Sequence, residues 1–245
     1  MFKPVDEQGL TDIHCHILPY VDDGARTLAE AKKMILQQID QGVSNVFVTP
    51  HLRKDQFETS DENLRNEFEN LYKFTQDKAI KIHLSREYFC DDYLINLLEK
   101  GEVMPLSEHK HILVEFSSFH SEEYIINYTK QILNLGYIPI LAHIERYKIF
   151  YNRQAIRELI DLGAKIQVNS ECVLGKLGFT RKRLVMHLIK NNSVHFIASD
   201  CHRTDVRLPN LGNCAKYLSK KISKKQFEQI FYANPRELSK IKLEI

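Results

Sequence analysis

The chain has 245 residues, 43% of them hydrophobic and 27% charged, enough apolar material for a sizeable core. A formal net charge of +2 is too balanced for a nucleic-acid binder, and no apolar run approaches the ~18 residues that membrane insertion needs. Five cysteines without CxxC spacing make no disulfide framework, and the first residues lack a signal-peptide pattern, so a reducing cytoplasm is the expected location.

Short β-branched runs alternate with longer stretches of helical spacing. Residues 10–16 read as a first strand. "LAEAKKMILQQIDQG" reads as a helix stopped at Gly42, then "VSNVFVTP" as a second strand ended by Pro50. "RKDQFETSDEN" follows His51 as a mobile loop, and a helix capped at Ser60 and Asp61 leads to a third strand, "IKIHLSREY". After a short helix near "DDYLINLLEKG" come a fourth strand, "HILVEF", and a helix ending at Gly136. "YIPILAHI" is the fifth strand and "RQAIRELIDLG" its helix; "AKIQVNS" is the sixth, followed by the helix "RKRLVMHLIKN". "VHFIASD" is the seventh strand, and two more helical stretches close the chain. The basic run "SKKISKKQ" (219–226) reads as a solvated helix end. With no linker of biased composition, residues 1–245 are expected to form a single domain. Seven βα units imply parallel strands with crossover helices, and either a closed barrel or an open doubly wound sheet fits.

The polar residues at the strand ends form a pattern. His14 and His16 end the first strand, with Asp22 and Asp23 in the following loop. His51 follows the second, Glu87 ends the third, Glu115 the fourth and His143 the fifth, while Asp200 and His202 follow the seventh. All fall at carboxyl ends, where parallel α/β folds build their sites. Each alone is weak: a single His near a strand end is more often a hydrogen-bonded core or surface residue. Together they place carboxylates inside apolar runs, where unpaired burial is costly and a cation would compensate several at once. Imidazole and carboxylate donors without thiolate argue against structural zinc and suit Mn²⁺, Fe²⁺ or Zn²⁺ in a water-bearing site. So many donors imply two or three ions, a cluster that would activate water and clamp phosphoryl oxygens. Arg146 and Arg207 lie near the same rim, and guanidinium groups grip phosphate in a bidentate fork.

The motifs "DIHCHILPYVDDGA", "VTPH", "LVEFS", "AHIERY", "QVNS", "ASDCH" and the late Asn234-Pro235 resemble, in order, the polymerase and histidinol phosphatase (PHP) superfamily. Within it they are most similar to the bacterial tyrosine-protein phosphatases of capsule and exopolysaccharide synthesis. The resemblance implies an α/β fold, a distorted seven-stranded (β/α) barrel of the PHP type. It implies one ion on His14, His16, Glu87 and Asp200. A second would share Glu87 with Glu115 and His143, and a third would take Asp23, His51 and His202. Of the two adjacent aspartates, the family pattern favours Asp23. Arg146 and Arg207 match phosphate-binding, catalytic arginines. The implied cofactors are two or three divalent metal ions, manganese first, with iron or zinc as options. The implied partner is the tyrosine-phosphorylated C-terminal tail of a bacterial tyrosine kinase, with no nucleic acid and no membrane insertion.

Three rivals stand beside this reading. "CHRTDVR" (201–207) has the C-x₅-R spacing of cysteine-dependent phosphatases, but its loop lacks glycine and Pro209 sits where a helix should start. The same fold could instead serve a small phosphomonoester such as histidinol phosphate. A non-enzymatic docking module should have lost some ligands, and here the set is complete.

Overall fold

The computed structural model describes residues 9–238. Strands β1 (Leu10–Cys15) and β2 (Val43–Val48) pair in parallel, and β2 pairs with β4 (Lys81–Leu84). A second parallel sheet runs β3 (His51–Leu52), β5 (Glu87–Phe89), β6 (His111–Glu115), β7 (Ile138–Leu141), β8 (Lys165–Asn169) and β9 (Phe196–Ala198). The second expected strand stops at Val48, with a two-residue strand resuming at His51 after its expected end at Pro50, and the third is interrupted by Ser85-Arg86, so seven runs become nine segments. Proline has no N–H to donate at the first break. Hydrogen bonds from Ser85 N to Val48 O (3.0 Å) and Glu87 N to Pro50 O (3.1 Å) carry the pairing across the gap.

The ring closes between first and last strands. Cys15 and Cys201 pair in parallel, with His16 N donating to Cys201 O (2.8 Å) and Asp200 N to His14 O (2.9 Å). This decides between the two architectures left open by the alternation: the sheet is a closed, distorted barrel. Ile13, Phe47, Leu113, Ile140, Phe196 and Ala198 form one buried cluster from the strands, with Leu106, Ala142 and Leu238.

The helices, α2 (Asp61–Thr75), α3 (Asp92–Lys100), α4 (Glu122–Asn134) and the short α6 (Ser170–Leu174) among them, cover the outside. In α1 (Leu28–Asp40), Ala31, Met34, Ile35 and Gln38 are buried at i, i+3, i+4 and i+7, and Thr27 caps the start by accepting from Glu30 N. The helix α5 (Arg153–Leu162) is capped by Asn152 and ends at Gly163, whose φ of 113° disfavours a side chain. The helix expected from Arg181 is α7 (Phe179–Lys190), beginning two residues earlier. Among the described residues no helix is long and apolar enough to cross a membrane.

Candidate metal centre

All nine expected ligands meet at the carboxyl end of the barrel. The strand β1 does this through an irregularity. Its pairing with β2 shifts register between Asp12 and Cys15, and a bulge of this kind re-aims side chains. Ile13 joins the barrel's inner cluster, while His14 and His16 both project into the site as the i, i+2 spacing predicts. Asp12 turns away: its two oxygens accept from Ser199 N (3.0 Å) and Gln38 Nε2 (2.7 Å).

Glu87 lies at the centre and is fully buried. Its Oε2 is 3.1 Å from His14 Nε2, 3.2 Å from His16 Nε2 and 3.1 Å from His51 Nδ1. Its Oε1 is 2.8 Å from His143 Nε2. Asp200 Oδ1 lies 3.5 Å from both His14 Nε2 and His16 Nε2. Glu115 stands 3.1 Å from His51 Nδ1 and 3.9 Å from His143 Nε2. Asp23 Oδ1 faces His51 Nε2 (3.6 Å) and His202 Nε2 (3.4 Å). His16 also gathers with Asp23, His51 and His202, and His51 with Glu87 and Glu115, so the donors form one continuous cluster.

Burial opposes ionisation of Glu87, but the imidazoles of His14, His51 and His143 outweigh it and hold the carboxyl well below the usual range. Asp200 is likewise held down against its burial, by Arg146 and then His14 and His202. Burial pushes His202 down to about 4, with the His16 ring adding to the effect. The site thus sets ionised carboxylates among imidazoles.

Five buried atoms of this cluster have no hydrogen-bond partner: Asp23 Oδ1, His51 Nδ1, Glu87 Oε2, Asp200 Oδ1 and His202 Nε2. Buried polar atoms are normally satisfied, and five orphans aimed at one another fit a group that accepts lone pairs from all of them. The donor set therefore suits divalent cations, and no cysteine thiol belongs to it.

A surrounding layer fixes the rings. Asp22 lies 2.7 Å from His16 Nδ1 and also accepts from Gly24 N and His51 N. The adjacent aspartates are thereby distinguished: Asp23 faces the cluster and Asp22 orients His16. A side chain at Gly24 would collide with the backbone of His16, its Cβ reaching 2.2 Å from the carbonyl oxygen, so the turn after "DD" requires glycine. Tyr147 Oη holds His143 Nδ1 at 3.0 Å. Gln167 Oε1 accepts from His143 N (2.7 Å) and lies 3.3 Å from His14 Nδ1. Asn169 Nδ2 donates to Asp200 Oδ2 at 2.7 Å. Tyr147, Gln167 and Asn169 stand outside the expected ligand set, and Asp22 is the aspartate set aside there in favour of Asp23. The clue to two of them was "QVN" in the sixth strand, two amides at i, i+2 inside an apolar run, the same spacing as His14 and His16.

Arg146 and Arg207 converge on Asp200 Oδ2, at 2.5 and 3.1 Å. His143, Asp200 and Arg207 all have positive φ (30°, 50° and 51°), a conformation that costs non-glycine residues of order 1–3 kcal/mol and gathers at functional sites. Cys201 is fully buried, and Gln38 Nε2 lies 3.6 Å from its thiol on the helix side of the barrel. It presents no nucleophile to the cluster, which removes the C-x₅-R reading. The loop after His51 is tied down at the rim. Phe57 stacks on His51 with centroids 5.1 Å apart, and Thr59 Oγ1 donates to Val21 O at 2.8 Å.

Comparison with known proteins gives the family and supports the fold. The family model described as "Capsular polysaccharide synthesis, CpsB/CapC" matches residues 10–240. The tyrosine-protein phosphatase CpsB of Streptococcus pneumoniae is 34% identical over 239 residues, covering 94% of this chain and 98% of that protein. The tyrosine-protein phosphatase YwqE of Bacillus subtilis is 31% identical over 201 residues, covering 81% and 79%. A crystal structure from the study of YwqE and the pneumococcal CpsB, described as unique metal-dependent tyrosine phosphatases, superposes with a TM-score of 0.82 at 28% identity, over 90% of this chain and 91% of that one. Histidinol phosphate phosphatase from Lactococcus lactis shares the fold at a TM-score of 0.60 and 14% identity, covering 88% and 94%. With the barrel, the strand-end cluster and a family match over nearly its whole length, the chain belongs to the CpsB/CapC family of capsular polysaccharide synthesis proteins.

Proposed function

We propose that this chain, a metal-dependent tyrosine-protein phosphatase linked to capsule synthesis, acts on the tyrosine-phosphorylated C-terminal tail of a bacterial tyrosine kinase. Removing those phosphates would reset the kinase that controls polysaccharide export. The cytoplasm is the proposed location. The observation that carries the chemistry is the set of five unsatisfied buried atoms converging beside two arginines.

His14, His16, Glu87 and Asp200 are assigned to one ion, Glu87, Glu115 and His143 to a second, and Asp23, His51 and His202 to a third. Manganese is the first choice. Such ions supply an activated water at neutral pH and neutralise charge on phosphoryl oxygens. The chain's own groups do the rest. Arg146 and Arg207 grip the equatorial oxygens and stabilise the charge that grows there. Asp200 holds both guanidinium groups while facing the histidines with its other oxygen. A phenolate leaving group, with a pKa near ~10, departs more readily than an alkoxide and needs less proton assistance.

An aromatic flank favours an aryl ester. Phe57 stacks on His51, and the Arg53 guanidinium lies 4.0 Å from the centroid of Phe89, which pairs in register with Glu115. A phosphotyrosine ring leaving the cluster on that side meets π faces rather than water.

The test strips the protein with chelator, restores Mn²⁺, and follows phosphate release from a tyrosine-phosphorylated peptide, with histidinol phosphate run in parallel. Peptide hydrolysis that vanishes and returns with metal is expected. Turnover of the peptide without metal would overturn the site assignment, and turnover of histidinol phosphate alone would move the substrate.

A further inference from the structure

A second feature lies outside the metal centre, between α5 and α7. Two adjoining cavities of about 590 and 510 Å³ share Arg153 and His187 and form one groove along these helices. The first is lined by Arg153, Arg183, His187 and Lys190 among apolar residues, with no carboxylate. The second adds Arg157 and one carboxylate, Asp161. None of Arg153, Arg157, Arg183 and Lys190 forms an ion pair among the described residues, whereas the nearby Lys130 is paired with Glu158. Cations gathered in a concave site and left unpaired, on a chain whose net charge is only +2, are charge complementarity awaiting an anion.

The first cavity reaches the starts of both helices, at Arg153 and Phe179. The helix α5 follows β7, beyond whose end lies His143, and α7 follows β8 through the short helix Ser170–Leu174. Phe179 at the start of α7 is 79% exposed, and Tyr151, two residues before Arg153, is 55% exposed. Arg146 of the metal centre and Arg153 are seven residues apart, so they lie within about 25 Å of each other. An extended peptide covers that span in about eight residues.

We infer that the groove between α5 and α7 is a docking site for an acidic, extended segment of the phosphoprotein substrate, placed within about eight residues of the phosphotyrosine or just beyond. The identity of this occupant rests on the phosphotyrosyl-protein reading above. Concavity and the aromatic mouth favour a polypeptide over a flat anionic membrane. Glutamates and aspartates would meet Arg153, Arg157, Arg183 and Lys190, while Phe179 offers an apolar anchor at the entrance.

The experiment uses the full chain and a fluorescently labelled acidic peptide without phosphotyrosine, so its readout is independent of catalysis. Anisotropy should show binding that weakens at least tenfold in Arg153→Glu/Arg183→Glu, and weakens as salt rises. In parallel, a short phosphotyrosine peptide should be turned over equally by wild type and variant, which checks fold and metal site. The same phosphopeptide with an acidic extension should be preferred by wild type only. Unchanged affinity in the variant overturns the inference. So does binding of phosphatidylglycerol vesicles, but not the peptide, through the same arginines. If the short phosphopeptide is not hydrolysed at all, the phosphatase reading fails, while the anisotropy still decides whether the groove takes an acidic chain.

Discussion

Asp22 sits 2.7 Å from Nδ1 of His16 and so turns that ring's Nε2 toward Glu87, 3.2 Å away. Outer carboxylates of this kind typically account for about 10–100-fold in metal affinity or activity. Asp22→Asn is therefore expected to weaken metal binding by that order, with the fold intact by circular dichroism. Asp23→Asn, which removes an oxygen facing the cluster, should cost more. Equal losses in metal titrations of the two variants would show that the division of labour between the neighbours is wrong.

Arg146 and Arg207 share one oxygen of Asp200, Arg207 also stands 3.8 Å from Asp23 Oδ2, and both are proposed above to grip phosphate. Removing such a donor commonly costs about 10²–10³-fold in turnover. Arg207→Ala should fall in that range on a phosphotyrosine peptide. Arg207→Lys should recover little, because an ammonium keeps the charge but lacks the planar fork. Full activity in the lysine variant would assign Arg207 a purely electrostatic role.

Cys201 is fully buried behind the cluster, so Cys201→Ser should keep activity within about threefold, where loss of a nucleophilic thiolate would abolish it. Treatment of the native enzyme with iodoacetamide should likewise leave turnover intact. Complete inactivation of the serine variant with retained metal would revive cysteine chemistry.

Metal removal should also loosen the fold, since the converging carboxylates and imidazoles would face one another uncompensated. A ligand at a hundred times its dissociation constant adds about 2.7 kcal/mol to stability. At about 2–4 °C per kcal/mol for a chain of this size, chelation should lower Tm by roughly 5–10 °C. An unchanged Tm alongside lost metal would mean that the site is held open by the barrel alone.

His195 lies outside the cluster, and its Nδ1 accepts from Ile166 N at 3.1 Å, so the fold requires the unprotonated ring. Burial and then Lys165 hold its pKa down to about 4, against 6.5 for a free imidazole. The stability from this contact is complete above pH 6.5 and is lost as pH falls through 4. Urea midpoints should decline across that window, His195 contributing about 1–3 kcal/mol given its partial exposure. His195→Asn keeps an acceptor without the titration and should flatten part of the decline. A slope identical to wild type would place the acid sensitivity elsewhere.

Much of this site is legible in the sequence. His14 with His16, Glu115 inside "ILVEF" and His143 inside "ILAHI" announce themselves because charged or titratable groups in apolar strands need a reason to be there. Glu87 is legible as a candidate ligand, but its central position is not. That position follows from a strand interrupted at Ser85-Arg86, which periodicity reads as one run. Asp22 and Asp23 are indistinguishable as letters, and only the fold of the loop onto His16, enforced at Gly24, gives them separate partners.

The sequence by itself determined the alternation of strand and helix, the composition of the donor set and the end of the strands at which it gathers. These are local properties, set by side-chain periodicity and by the chemistry of each residue. The tertiary structure alone decided that the sheet closes, through the pairing of Cys15 with Cys201. It also decided that Glu87 is shared by four histidines, that Gln167 and Asn169 brace the cluster, and that four arginine and lysine side chains line a groove unpaired. Each depends on contacts between residues far apart in the chain, whose relative placement is fixed by barrel closure and helix packing rather than by any local pattern.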